Sequence, residues 1–215
     1  MKKALLSDRK PETSKKALIT GIAGFAGSHL AKYLLTQNIK IFGFYHPEHS
    51  IENIKNIKDK ITLVACDVLD IKKVGENLAN IQPDFVFHLA AFSSPAASFK
   101  NPKETLKNNI LGQLNLFDSL VKLKSKAAIL AIGSADEYGK IDKKDLPADE
   151  ATPLAPLSPY AVSKVAQDML GLQYFLHHDL HVVRVRPFNH IGPRQSPAFV
   201  ISAFASQIAA CEAAG

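Results

Sequence analysis

Short, unbroken apolar runs alternate with helix-spaced segments along this chain, and that alternation restricts the fold more than any other feature. The runs lie at residues 17–20, 39–44, 61–65, 84–89, 127–132 and 180–185. Between them, residues 25–37, 71–80, 102–122 and 159–178 place apolar side chains at helical spacing. A strand that alternates apolar and polar residues has one wet face, whereas a continuous apolar run is buried on both. Strand, helix and strand in strict turn then predict an α/β fold, a Rossmann-like doubly wound parallel sheet. With 47% hydrophobic and 21% charged residues in 215, the chain can bury one large core, which excludes disordered and fibrous classes. One long polar, proline-rich segment, residues 139–159, reads as a binding loop or lid.

Charge and cysteine content narrow the partners. Residues 1–16 carry six bases (Lys2, Lys3, Arg9, Lys10, Lys15, Lys16) against Asp8 and Glu12, so only two of the six net positive charges belong to the remainder. Residues 1–14 therefore read as a solvated basic tail, and no nucleic-acid surface is expected. Cys66 and Cys211 make no disulfide framework, which points to a reducing, cytoplasmic setting. The start of the chain has no signal-peptide pattern, and no run reaches the ~18 apolar residues of a membrane helix.

The first strand runs into Gly21-Ile22-Ala23-Gly24-Phe25-Ala26-Gly27. At a strand-to-helix junction, the first glycine permits a tight turn and the second lets backbone approach a diphosphate. The third lets helix and strand pack closely. The helix N-terminus adds amide donors and a positive dipole, so the expectation is a bound dinucleotide. A carboxylate ending the second strand would bind a ribose 2′-hydroxyl; here Gly43-Phe44-Tyr45-His46 offers none before Glu48. That favours NADP slightly over NAD.

Tyr160 and Lys164 stand one helical turn apart in Ser158-Pro159-Tyr160-Ala161-Val162-Ser163-Lys164. An ammonium beside a phenol draws its pKa down toward neutrality, as general acid–base catalysis requires. Ser134, just after the fifth strand, could complete a Ser/Tyr/Lys set at the C-terminal end of the sheet.

Together these segments resemble the extended short-chain dehydrogenase/reductases, the NAD-dependent epimerase/dehydratase family. The matching pieces, in order, are Gly21-x-x-Gly24-Phe25-x-Gly27, Cys66-Asp67-Val68, His88-Leu89-Ala90-Ala91, Asn109-Ile110-x-Gly112, Ser134 with Tyr138-Gly139, and Tyr160-x-x-x-Lys164. The resemblance implies that Asp67 and Val68 hold the adenine and that Leu89, Ala90 and Ala91 border the cofactor. It also implies that Asn109 supports the site lysine.

Arg186-Pro187-Phe188-Asn189-His190-Ile191-Gly192-Pro193 with Phe199-Val200 is similar to the GDP-4-dehydro-6-deoxy-D-mannose reductases. That implies Pro187 against the nicotinamide, and Asn189, Phe199 and Val200 near a GDP-sugar; Arg194 stands where those reductases carry glycine. It implies reduction of a 4-keto-6-deoxy sugar nucleotide to a GDP-D-rhamnose-type product, with Ser134, Tyr160 and Lys164 catalytic. Asp136, two residues after Ser134, occupies the place of a dehydratase acid and would also face the substrate. A 4,6-dehydratase or epimerase with tightly bound NAD(P) therefore stays open. So does a cofactor-binding module without turnover. The family is longer by roughly half, so the expectation is a cofactor domain at 15–188, the start of a substrate region at 189–215 with most of that domain missing, and a homodimer at full length. His177, His178 and His181 straddle a helix end and a strand start, so no metal site is expected.

Overall fold

The computed structural model describes residues 14–214, so the predicted basic tail lies outside the described residues save for Ser14. Six strands make one sheet: β1 (Lys16–Thr20), β2 (Lys40–Tyr45), β3 (Thr62–Ala65), β4 (Phe85–His88), β5 (Ala128–Ile132) and β6 (His181–Val185). They pair in the order β3-β2-β1-β4-β5-β6, every pairing parallel. Chain direction across the sheet switches between β1 and β4, and the crevice at their C-terminal ends is where such folds bind ligands.

The helices are α1 (Phe25–Thr36), α2 (Ile71–Ile81), α3 (Pro95–Lys100), α4 (Pro102–Leu106), α5 (Gly112–Lys122), α6 (Pro159–His178) and α7 (Val200–Ala214). Leu18, Phe44, Val86 and Ile129 pack on one face against Val74 and Leu78 of α2, Leu116, Phe117 and Leu120 of α5, and Tyr174 of α6. Their neighbours Ala17, Ile19 and Ile41 pack on the other face against Ala31 and Leu34 of α1 and Ile54 and Ile57 of a 3-10 segment, Glu52–Lys60. Adjacent strand residues are thus buried on opposite faces, the physical reason the central strands read as unbroken apolar runs.

The sequence predicts one helix over 102–122, and the structure interrupts it. Between α4 and α5, Lys107–Leu111 forms a π turn, whose wider loop turns Asn109 into the interior. Helix α6 begins where Ser158 accepts the N–H of Ala161 at 3.0 Å and Pro159 takes the first helical position. Among the described residues β6 pairs only with β5, and α7 buries none of its residues. Arg194 adopts φ +71°, the left-handed backbone that a glycine takes without strain.

Candidate active site

β1 leads into Gly21 at φ +68°, and a Cβ there would stand 2.9 Å from the backbone of Ala90. Gly24 donates to the Gly21 carbonyl at 3.0 Å and begins α1 with no side-chain cap. A side chain at Gly27 would overlap the Gly21 carbonyl oxygen. The first turn of α1 therefore presents its amides to an open cleft of about 400 Å³. Gly21, Gly24, Asp67, Val68, Leu89, Ala90 and Ala91 line it, together with Tyr45, His46 and Glu48 at the exit of β2. A cradle that any Cβ would fill, beside an uncapped helix start, fits the diphosphate of a dinucleotide.

Thr20 and His88 hold the cleft floor. Thr20 Oγ1 accepts the N–H of Leu89 and of Ala90, each at 3.1 Å, and sits 2.9 Å from His88 Nδ1. Burial, with help from the Lys164 charge, pushes the His88 pKa down to about 3, so the ring is neutral. Thr20 then donates to Nδ1, and the ring hydrogen sits on Nε2. Thr20 was not singled out from the sequence.

Other predicted cofactor residues lie elsewhere. Phe25 turns from the cleft to stack on His190, ring centroids 5.9 Å apart. Asn109 makes no hydrogen bond to Lys164. Its carboxamide accepts the N–H of Phe92 at 2.8 Å and donates to the Phe92 carbonyl at 3.1 Å and to Ser163 Oγ at 2.9 Å. It thereby fixes the residue next to the lysine. Pro187 accepts the N–H of Ala135 at 3.0 Å, which ties the exit of β6 to the turn after Ser134.

Ser134, Tyr160 and Lys164 converge past β5. Ser134 caps a 3-10 turn, Ala135–Tyr138, its Oγ accepting the N–H of Asp136 at 3.1 Å. Tyr160 lies in the first turn of α6, its N–H held by Ser98 Oγ at 3.1 Å. Lys164 donates to the Ile132 carbonyl at 2.9 Å, with its ammonium 5.9 Å from the Tyr160 ring centroid. Burial pulls the Lys164 pKa down to about 8, and the negative charge of Glu137 works against it. Burial pushes the Tyr160 pKa up; a hydrogen bond with Ser134 opposes this, while Asp136 and Glu137 add to it. The sequence expectation was a phenol drawn toward neutrality by Lys164. Instead desolvation dominates, and Tyr160 holds its proton at neutral pH.

Of the predicted substrate residues, Asp136 is half-buried beside Ser134, whereas Asn189 and Val200 are exposed and Phe199 half-buried. None of these three lines the cleft. The 188–195 segment docks on α1 through His29, whose Nε2 meets the Pro193 carbonyl at 3.0 Å, and through Arg194, which donates to Ser28 Oγ at 3.3 Å. A second cavity of about 660 Å³, not foreseen from the sequence, lies along β6 between Tyr138, Glu150, Asp168, Arg186 and Phe188. Sequence reasoning also passed over Glu137, which Ser134-x-x-Glu137, a capping-box spacing, could have flagged. Among the described residues, no three His, Cys, Asp or Glu side chains are placed to hold a metal ion, and no helix is long and apolar enough to cross a membrane.

A sequence model of the GDP-mannose 4,6 dehydratase family matches residues 18–214, nearly all of the described chain. The chain belongs to that family. The relatives it matches are named as nucleotide-sugar 4,6-dehydratases, reductases and epimerases. It is 34% identical over 196 residues to the GDP-6-deoxy-D-mannose reductase of Pseudomonas aeruginosa, covering 91% of this chain and 59% of that protein. It is 31% identical to a Vibrio cholerae GDP-mannose 4,6-dehydratase, covering 86% of this chain and 52% of the other. Among solved structures, RMD from Pseudomonas aeruginosa complexed with NADPH is 35% identical with a TM-score of 0.75, over 91% of this chain and 60% of that one. DesIV, a dTDP-glucose 4,6-dehydratase from Streptomyces venezuelae with NAD bound, is 26% identical with a TM-score of 0.83, over 90% and 62%. The chain thus spans between half and two thirds of the length of these relatives.

Proposed function

We propose that this chain is the cofactor-binding and proton-donating part of an NAD(P)H-dependent reductase. Its substrate is the 4-keto group of a nucleotide-activated 6-deoxy sugar, of the GDP-4-dehydro-6-deoxy-D-mannose to GDP-D-rhamnose type. The observation that carries this reading is the convergence of a protonated Tyr160, Ser134 and Lys164 at the end of β5. The 34% identity to a GDP-6-deoxy-D-mannose reductase supports the substrate class.

Gly21, Gly24 and the first turn of α1 would hold the diphosphate, Asp67 and Val68 the adenine end, and Ala90 and Ala91 the edge leading to Tyr160. NADP is favoured because Tyr45 and His46 line the β2 exit with no carboxylate before Glu48. When bound, the nicotinamide supplies hydride. Ser134 Oγ, an acceptor from the Asp136 amide and a hydrogen-bond partner of Tyr160, would turn its hydrogen to the substrate carbonyl oxygen when that oxygen enters. Tyr160 gives its proton to that oxygen, and the Lys164 charge stabilises the phenolate left behind. Residues 15–188 form the cofactor domain on this reading. The segment from 189 opens the sugar-nucleotide region, with Asn189, Phe199 and Val200 contributing once further chain packs on them.

NADPH oxidation with the GDP-4-keto-6-deoxy sugar, by the protein that carries this chain, tests the proposal. Tyr160→Phe should slow it by ~10²-fold or more; a loss of less than about threefold would remove Tyr160 from the role. Asp136, two residues past Ser134, and the Vibrio relative favour a second reading, a 4,6-dehydratase that recycles its hydride. Absorbance at the nicotinamide band separates them: the reductase consumes NAD(P)H stoichiometrically and the dehydratase leaves it unchanged.

A further inference from the structure

Glu137 is an acid that the proposed chemistry does not use, and none of its surface is exposed. Its Oε1 accepts the N–H of Ser134 at 2.8 Å, the return half of the cap in which Ser134 Oγ accepts from Asp136. Glutamine makes that reach-back bond as well as glutamate does. A wholly buried carboxylate is a costly way to make it, so the bond alone does not explain the charge.

The surroundings do. Oε2 lies 3.2 Å from Arg186 Nε, yet the Nε hydrogen goes to Asp168 Oδ2 at 3.0 Å, which leaves Oε2 without a hydrogen-bond donor. Asp168 also takes Arg184 at 2.9 Å, so the arginines compensate Asp168 more fully than they do Glu137. On its other side the carboxylate presses on Gly133, where any side chain would overlap Oε1. Gly133 follows Ile132, the residue whose carbonyl accepts Lys164 Nζ. The carboxylate and the ammonium therefore address adjacent residues at the end of β5.

The charged groups around Glu137 are Asp168 and Lys164 from α6, Arg186 after β6, and Asp136 in its own turn. Burial pushes its pKa up to about 7; the Ser134 amide, Arg186 and Lys164 pull down while Asp168 pushes up.

We propose that Glu137 is a positioning residue, which anchors the Ser134 peptide so that the hydroxyl faces Tyr160 and serves as the buried counter-charge of Lys164. The inference rests on the reading of Ser134, Tyr160 and Lys164 as the working groups, but its test needs neither cofactor nor turnover. Two conservative variants separate the two jobs. Glu137→Gln keeps an acceptor for the Ser134 amide and removes the charge; Glu137→Asp keeps the charge and loses the reach.

In protein labelled at lysine 13Cε, with the Lys164 signal identified by its loss in Lys164→Met, E137Q should move the Lys164 titration midpoint down by about half a unit or more. The Ser134 amide should keep its hydrogen-exchange protection in that variant. E137D should speed Ser134 amide exchange by about tenfold or more and leave the Lys164 midpoint nearly in place. A midpoint unmoved in E137Q, or Ser134 exchange unmoved in E137D, overturns the proposal. A chain that binds no NADPH but behaves as described here sinks the reductase reading and leaves Glu137's role intact.

Discussion

Asn109 donates from its carboxamide to the hydroxyl of Ser163 at 2.9 Å, from the π turn of one helix to the residue beside Lys164 in another. The same carboxamide closes both backbone bonds of Phe92, at the end of the cleft. One buried side chain thus sets the spacing between cofactor cleft and lysine. Asn109→Ala removes the partner of the Phe92 amide and carbonyl, both part-buried at the cleft wall, and of the buried Ser163 hydroxyl. The expected loss is about 2 kcal/mol, since each hydrogen bond lost contributes roughly 0.5–1.5 net. Urea unfolding measures it, and a loss under about 1 kcal/mol would show that the π turn relaxes without the carboxamide.

Gly21 is held at φ +68° against the Ala90 backbone. Gly21→Ala must both adopt a left-handed backbone and push β4's exit aside, a strain of ~1–3 kcal/mol. Because the displaced backbone is the cleft wall, NADPH affinity should fall by at least about tenfold, each tenfold being ~1.4 kcal/mol. Calorimetric titration of the two proteins with NADPH checks this. Affinity within twofold of the parent would mean the nucleotide diphosphate sits elsewhere.

The central strands were legible because burial on both faces leaves an unbroken apolar run, and Ser158-Pro159 announced the start of α6 by its capping chemistry. The glycine turn was legible for the same local reason: only a residue without Cβ fits at Gly21. Other features depend on contacts between distant residues. No periodicity marks the π turn, because Asn109 is drawn inward by partners 17 and 54 residues away. The direction of the Tyr160 shift depends on how deeply α6 buries the phenol, which the Tyr-x-x-x-Lys spacing does not encode. The Glu137 cap was visible as Ser-x-x-Glu. That its carboxylate is buried against Arg186 and Asp168 was not.

Lys164 links stability to pH. Burial lowers its pKa from an ordinary 10.5 to about 8, so between those values the unfolded chain binds a proton that the folded one has released. Stability supplied through this group therefore rises as pH rises across that window. Relative to Lys164→Met, the wild type should gain on the order of 3 kcal/mol between pH 8 and 10.5. Paired urea titrations at those two pH values cancel the titrations common to both proteins. A difference that stays flat would show that the ammonium is solvated in the folded state.

Arg186, just past β6, ties α6 to the 135–138 turn. Its guanidinium meets Asp168 Oδ2 of α6 at 3.0 Å through Nε, lies 3.2 Å from Glu137 Oε2, and sits 5.3 Å above the Tyr138 ring. Arg186→Met preserves the apolar stem and removes the charge, which leaves Asp168 with Arg184 alone and Glu137 with no arginine. Breaking a buried ion pair from one side costs ~3–5 kcal/mol, because the surviving charge stays in a poor solvent. At pH 9 the variant should therefore lose about that much, a fall of roughly 10 °C in Tm for a domain of this size. The folded pKa of Glu137 is raised to about 7 although Arg186 pulls it down, so without the guanidinium the carboxyl takes up its proton at a higher pH still. That uptake removes one of the two orphaned charges. The gap between variant and wild type should consequently narrow as pH falls from about 9 toward 7 and level off below, unlike that of a variant whose defect is lost packing. Thermal melts of both proteins across that range decide the matter: a gap independent of pH would assign the contribution of Arg186 to its stem and its contact with Tyr138 rather than to its charge.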